Sequence, residues 1–269
     1  MSKLFEHCLL HRFGYFFGTS DNQFDFKHGL GTSHAIYTVR RVVDYYVSRN
    51  STVNICAVDI SKAFDRMNHH GLFLKLMQRK IPVSVLRVIE DWFAKCATCV
   101  RWGSTLSDTF CLLRGVRQGG VLSPYLFALY VNDIIADVEG LNVGCVMCFV
   151  PMCIILYADD ILLLAPSVNA LQLLLSTCEL ELRKLDLFIN SAKSVCLRTG
   201  PRRSNNCQNL VTIDENSLNW ESCIRYLGVY IESAGHFRCS HEVAKKKFYS
   251  SFNGIFGKIV GGEPRKKLY

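Results

Sequence analysis

Residues 153–165 read CIILYADDILLLA, and the interpretation of this chain turns on that stretch. Asp159 and Asp160 are its only charges, and an ionised carboxylate in apolar surroundings is costly unless something positive compensates it. No Lys or Arg adjoins the pair in sequence. The apolar runs on either side are of strand length. They predict a hairpin with Tyr157-Ala158-Asp159-Asp160 at its tight turn and both carboxylates lifted to a sheet edge. Oxygen ligands of this kind suit a hard cation such as magnesium. Taken alone, the same residues read equally well as a polar turn between two buried strands.

Leu141 to Ala158 is uncharged and approaches membrane-spanning length. Its Asn142, Gly144 and Pro151, and the aspartates that follow, fit two successive strands better. Downstream, Val168 to Phe188 has helical periodicity, Asn190 to Leu197 reads as a strand, Arg202 to Asn209 as a loop, and Ile224 to Ile231 as a strand pair around Gly228. A basic helix with Lys245, Lys246 and Lys247 is predicted over His241 to Lys258. Upstream, Arg114 to Asp133 (RGVRQGGVLSPYLFALYVND) is a Gly-rich loop followed by Ser123 and Pro124, which fit the cap and first position of a helix. Helices are expected over His70 to Arg79 and Val83 to Cys96, broken at Pro82. Val100 to Leu113 reads as a strand pair around Gly103. Val53 to Ile60 (VNICAVDI) is a strand that delivers Asp59 to its end. Ser33 is a candidate cap for a helix through Val39, Val42 and Val43. Leu4, Phe5, Cys8, Leu9 and Phe13 suggest the apolar face of an N-terminal helix.

Composition narrows the function classes. The 269 residues allow one large domain or a few subdomains, and 31 basic against 23 acidic residues give +8, which favours a polyanionic partner. Thirteen cysteines and no signal peptide at Met1 point to a reducing, intracellular setting. The Cys96/Cys99 and Cys145/Cys148 pairs invite a zinc reading, but without the turn residues of a zinc knuckle they fit buried thiols better.

Asp59, Asp159 and Asp160 thus fall at strand ends. Acids on neighbouring strands of one sheet could hold two divalent ions about 3.5 to 4 Å apart, an arrangement suited to phosphoryl transfer. The helix opened by the Gly-rich loop offers N–H groups to phosphates. Here the chain resembles the reverse transcriptase domain of non-long-terminal-repeat (LINE-type) retrotransposons, block by block and in order. Gln23 to Ile36 (QFDFKHGLGTSHAI) resembles the fingers block. Ala57 to His69 (AVDISKAFDRMNH) resembles motif A, Arg114 to Asp133 motif B, YADD motif C, Phe188 to Leu197 (FINSAKSVCL) motif D and Arg225 to Ile231 (RYLGVYI) the primer grip.

The resemblance implies an α+β right-hand polymerase: a palm with a small, mainly antiparallel sheet and helices on one face, partial fingers and a rudimentary thumb. It implies fingers over 1–52 and 68–117, palm over 53–67 and 118–233, and the start of a thumb over 234–269. It implies RNA-directed DNA synthesis with two Mg²⁺ ions on an RNA template, a DNA primer and deoxynucleoside triphosphates, in the nucleus and without a membrane. Asp59 and Asp159 would bind both metals, with Asp160 more peripheral. Lys193 would protonate the pyrophosphate leaving group. Lys27, where the family usually has Arg, would touch the triphosphate. Phe64 would pack beneath the sugar, and Gln118 and Gly119 would meet the nascent base pair and nucleotide. Asp25 replaces a usual Gly. The partial first block, the short thumb and the lack of an endonuclease suggest a piece of a longer parent protein, or an inactive remnant that only binds nucleic acid. An RNA-making polymerase would more often carry Gly where Ala158 stands.

Overall fold

A computed structural model of the chain describes residues 2–117 and 119–260. Its centre is Val53–Asp59 (β1), whose side chains alternate between two cores: Cys56 and Val58 join one, Val53 and Ile55 the other. Ile154–Tyr157 (β2), Asp160–Ala165 (β3) and Val195–Thr199 (β4) complete an antiparallel sheet in the order β4-β1-β3-β2. In β3 the same alternation sends Ile161 and Leu163 to the first core and Leu162 and Leu164 to the second. Burial on both faces explains why this stretch carries apolar residues on both parities. Each such side chain contributes roughly 1.5–3 kcal/mol by leaving water.

The helices are α1 (Ser2–Phe13), α2 (Thr32–Val47), α3 (Ala63–Arg66), α4 (His69–Gln78), α5 (Val83–Ala94), α6 (Ser123–Val131), α7 (Asp133–Glu139), α8 (Val168–Lys184) and α9 (Glu242–Val260). The expected helical face is formed by α4 to α8, with Leu76, Ile89, Phe127, Ile135 and Leu174 in its core. The other face is closed by α2, through Val39 and Val43, and by the hairpin of Cys223–Tyr226 (β5) and Val229–Glu232 (β6). At the β2 edge, residues 22–24 continue the sheet: Phe24 N–H donates to Leu156 O at 3.0 Å and Leu156 N–H to Asn22 O at 2.9 Å. This segment carries residue 25 toward the β2–β3 turn.

Several sequence expectations shift. On α1 the buried residues are Glu6 and Leu9, whereas Leu4 and Phe5 are exposed, because the helix lies against a loop that needs an acceptor. Gly31, not Ser33, precedes α2, and its N–H donates to the His34 ring. Asn190 to Ser194 form a turn, not a strand: Asn190 O accepts from Lys193 N–H at 3.1 Å and Ser194 N–H at 2.9 Å. Leu122 is the cap residue of α6, and Ser123 Oγ donates to Arg117 O instead of accepting from the helix. Of the paired cysteines only Cys145 is buried; Cys99 and Cys148 are exposed at hairpin edges. Leu141 to Ala158 resolves into the small ladder 146–147/150–151 followed by β2. Among the described residues no helix is long and apolar enough to cross a membrane.

Candidate active site

Two residues join β2 to β3. Tyr157 pairs with Asp160, leaving Ala158 and Asp159 as the loop, and Ala158 stands at φ +54°, the sign a type II′ hairpin requires at its first loop position. Antiparallel pairing of β1 and β3 sets Asp59 directly opposite Asp160. By alternation both lie on the face of Ile55 and Leu162, the face that β5 and β6 cover. Asp159 adds a third carboxyl from the turn itself.

The Asp59 backbone is held from the side of the 190–194 turn: its N–H donates to Ser194 Oγ at 3.0 Å and its carbonyl accepts from Asn190 N–H at 2.8 Å. The same turn presents Lys193, whose Nζ is 3.9 Å from Asp59 Oδ2 with the lysine side chain 69% exposed. An ion pair so open to water contributes about 1 kcal/mol at most. The Asp160 carboxyl is pushed up to about 6, first by burial and then by the Asp159 and Asp59 carboxylates, with Arg225 on β5 partly offsetting them. Asp160 therefore feels both of the other carboxylates.

A donor set made only of carboxylate oxygens fits the chemistry of Mg²⁺, and mutual repulsion is what a divalent ion would relieve. Among the described residues no group of three or more His, Cys, Asp or Glu is gathered closely enough to hold a metal as placed. The side chains would have to turn toward one another to share an ion.

The remaining candidates divide into two places. Phe64 packs against Phe127 with ring centroids 4.3 Å apart and ring planes tilted by 32°, and it lines a cleft of about 290 Å³ with Gly119, Gly120, Ser123 and Pro124. Gln118 lies outside the described residues. Lys27 lines a second cavity of about 430 Å³ with Asp21, Asp25 and Tyr125, and its Nζ donates to Ser20 O at 2.5 Å. Burial lowers the Lys27 pKa, and Asp21 and Asp25 oppose that shift. Asp25 is 2% exposed, and no donor meets either of its oxygens with hydrogen-bond geometry. Burial raises its pKa, and the nearby Ala158 amide offsets only part of this. Sequence reasoning did not find Glu6, a buried carboxylate that accepts from Leu122 N–H at 2.8 Å, because nothing in SKLFEHCLL marks that residue as inward-facing. Nor did it single out Arg225, whose place beside Asp160 depends on how β5 and β6 fold over the sheet.

A family model described as reverse transcriptase (RNA-dependent DNA polymerase) matches residues 2–231. The chain belongs to the reverse transcriptase family. Among curated relatives, the RNA-directed DNA polymerase from mobile element jockey of Drosophila funebris is 29% identical over 224 residues, 80% of this chain and 24% of that protein. A Pol polyprotein from the type-1 retrotransposable element R2 of Popillia japonica is 26% identical over 162 residues, 58% of this chain and 23% of the relative. The chain thus spans about a quarter of these proteins. Among solved structures, telomerase from Candida tropicalis with a fragment of telomeric RNA aligns at TM-score 0.59 and 12% identity, covering 86% of this chain and 36% of that one. Candida albicans telomerase aligns at TM-score 0.57 and 14% identity, covering 87% and 37%. These likenesses show the fold, an α+β right-hand polymerase of the reverse transcriptase kind.

Proposed function

We propose that this chain carries out RNA-templated DNA synthesis, in which a primer 3′-hydroxyl attacks the α-phosphate of a deoxynucleoside triphosphate and pyrophosphate leaves. The observation that carries the reading is the register that sets Asp59 opposite Asp160 with Asp159 on the adjoining turn. Asp59 and Asp159 are the residues to hold two Mg²⁺ ions, with Asp160 at the edge of the set. When bound, such ions stabilise both the attacking and the leaving oxygen. Lys193 is the residue assigned to give a proton from Nζ to the departing pyrophosphate, and its position 3.9 Å from Asp59 Oδ2 supports that reading. Phe64, braced by Phe127, supports the reading of a wall beneath the nucleotide sugar. Gln118 and Gly119 are assigned to the base pair and nucleotide, and Lys27 to the triphosphate, which would require it to leave Ser20 O.

An RNA template, a DNA primer and deoxynucleoside triphosphates are the partners this reading implies. We assign fingers to 1–52 and 68–117, palm to 53–67 and 118–233 and the start of a thumb to 234–269, residues 1, 118 and 261–269 lying outside those described, and propose that a longer parent protein supplies endonuclease and thumb segments. Primer extension on an RNA template with Mg²⁺ tests the reading. Template-directed incorporation by the wild type that Asp159→Asn abolishes is the expected result. Equal incorporation by both would overturn the assignment.

A further inference from the structure

Only Glu6 and Leu9 of α1 are buried among its described side chains, and Glu6 is 1% exposed. Leaving a carboxylate inside a core is costly unless its oxygens are met. Here Oε2 accepts from the Leu122 N–H at 2.8 Å, at the cap residue of α6. The start of a helix offers unsatisfied N–H groups and a partial positive charge, and α6 has no capping side chain of its own at Leu122. Glu6 therefore meets, from 116 residues away, the N–H of the cap residue itself, a donor lying before those a capping Ser123 would have reached.

That contact sits directly behind the nucleotide-facing loop. Ser123 Oγ donates to Arg117 O at 2.7 Å and Gly120 N–H to the same oxygen at 3.1 Å, so Gly120 and Ser123 are both tied to Arg117. A Cβ added at Gly120 would lie 3.3 Å from Glu6 Oε2, so the carboxylate packs against the loop as well as bonding to its end. On the opposite side the loop lines the cleft of about 290 Å³ that holds Phe64 and Gly119. We infer that Glu6 is a positioning residue for nucleotide binding: through Leu122 and Gly120 it fixes the loop that presents Gly119 to the incoming nucleotide. The inference rests on the polymerase reading above. It adds a residue that touches neither substrate nor the aspartates.

Loss of this bond lets the loop leave its binding-competent position, and apparent nucleotide affinity falls by the fraction that leaves. Glu6→Ala should raise the KM for the incoming nucleotide about tenfold, with kcat and primer-template affinity little changed. Its peptide over residues 119–124 should exchange amide hydrogens faster than in the wild type. Glu6→Gln keeps an acceptor oxygen and should recover most of both effects. Leu9→Ala, on the same buried face, serves as the control for a loosened helix: it should lower stability without a selective rise in nucleotide KM. The inference is overturned if Glu6→Ala leaves the KM unchanged, if its kinetic losses parallel those of Leu9→Ala, or if exchange over 119–124 does not change. Should the wild type incorporate no nucleotide, the polymerase reading fails and the positioning role fails with it. Hydrogen exchange then still shows whether the Glu6 tie to the loop exists.

Discussion

Two acidic regions meet at the β2–β3 turn, and they are made in different ways. On one side Asp59 and Asp160 face each other across adjacent strands and Asp159 caps the hairpin, so their positions follow from backbone register. On the other, Asp25 is buried beside the turn with no bonded partner and Lys27 reaches back to Ser20 O. Register fixes where a side chain starts regardless of what surrounds it, whereas a long or buried side chain takes its place from whichever neighbours it finds. The first region is therefore a stable platform for charge. The second is a pocket whose carboxyl is left without a bonded partner while its lysine is turned to a backbone carbonyl.

The contrast breaks first on kinetics. Asp59→Asn should lower incorporation by about a thousandfold or more, since several kcal/mol of transition-state stabilisation depends on the carboxylates. Lys27→Ala should cost less than about tenfold, the scale of one contact to a charged group, because Lys27 already has a partner within its own loop. A Lys27→Ala loss as large as that of Asp59→Asn, measured as kcat/KM under the same conditions, would put Lys27 at the reaction centre instead.

Stability separates the regions next. The raised Asp25 carboxyl binds its proton more tightly in the folded chain than in the unfolded one, so it weakens the fold as pH rises above the ordinary carboxylate range. Asp25→Ala should stabilise the protein at pH 7 by about 1–3 kcal/mol and flatten the decline in stability between acidic and neutral pH. Asp160 acts in the same direction, over a window from about 4 up to its raised value of about 6, so part of the slope should persist in that variant. Denaturant midpoints at several pH values in metal-free buffer check both statements. An unchanged or steeper slope in Asp25→Ala would mean that the Asp25 carboxyl is satisfied after all.

Much of the first region was legible in the sequence and little of the second. Apolar runs of strand length on both sides of Tyr157 to Asp160 left a hairpin as their natural reading, and VNICAVDI carried Asp59 to a strand end for the same reason. The partner of Asp59 across the sheet, Asp160, follows once the two strands pair. Helix α1 shows where such reasoning stops. Leu4 and Phe5 had the right spacing for a core face, yet the core took Glu6 because a loop far along the chain needed an acceptor. Ser123 had the right identity for a cap, but Arg117 O claimed its hydroxyl. Lys193, singled out through the resemblance to motif D, stands 3.9 Å from Asp59 on a turn made by Asn190 and Ser194, and not on the strand expected from Asn190 to Leu197.

The smallest expected effect lies in the turn that both regions share. Ala158 holds a left-handed φ of +54°, which a residue with a Cβ adopts at a cost of roughly 1–2 kcal/mol. Ala158→Gly removes that cost but frees the unfolded chain, leaving a net gain of about 0.5 kcal/mol. A destabilised Ala158→Gly in thermal unfolding would indicate that the methyl group packs against something the turn needs.

Asp59, Asp159 and Asp160 should behave as one electrostatic unit that a divalent ion relieves. Thermal unfolding of the wild type and Asp159→Asn across a Mg²⁺ titration tests this without requiring catalysis. A ligand that binds only the folded state raises stability by mass action, so the wild type should gain thermal midpoint with Mg²⁺. Asp159→Asn should start higher in metal-free buffer, with one repelling charge removed, and should lose most of the Mg²⁺ response. Equal Mg²⁺ responses in the two proteins, with no gain from the substitution in metal-free buffer, would contradict it.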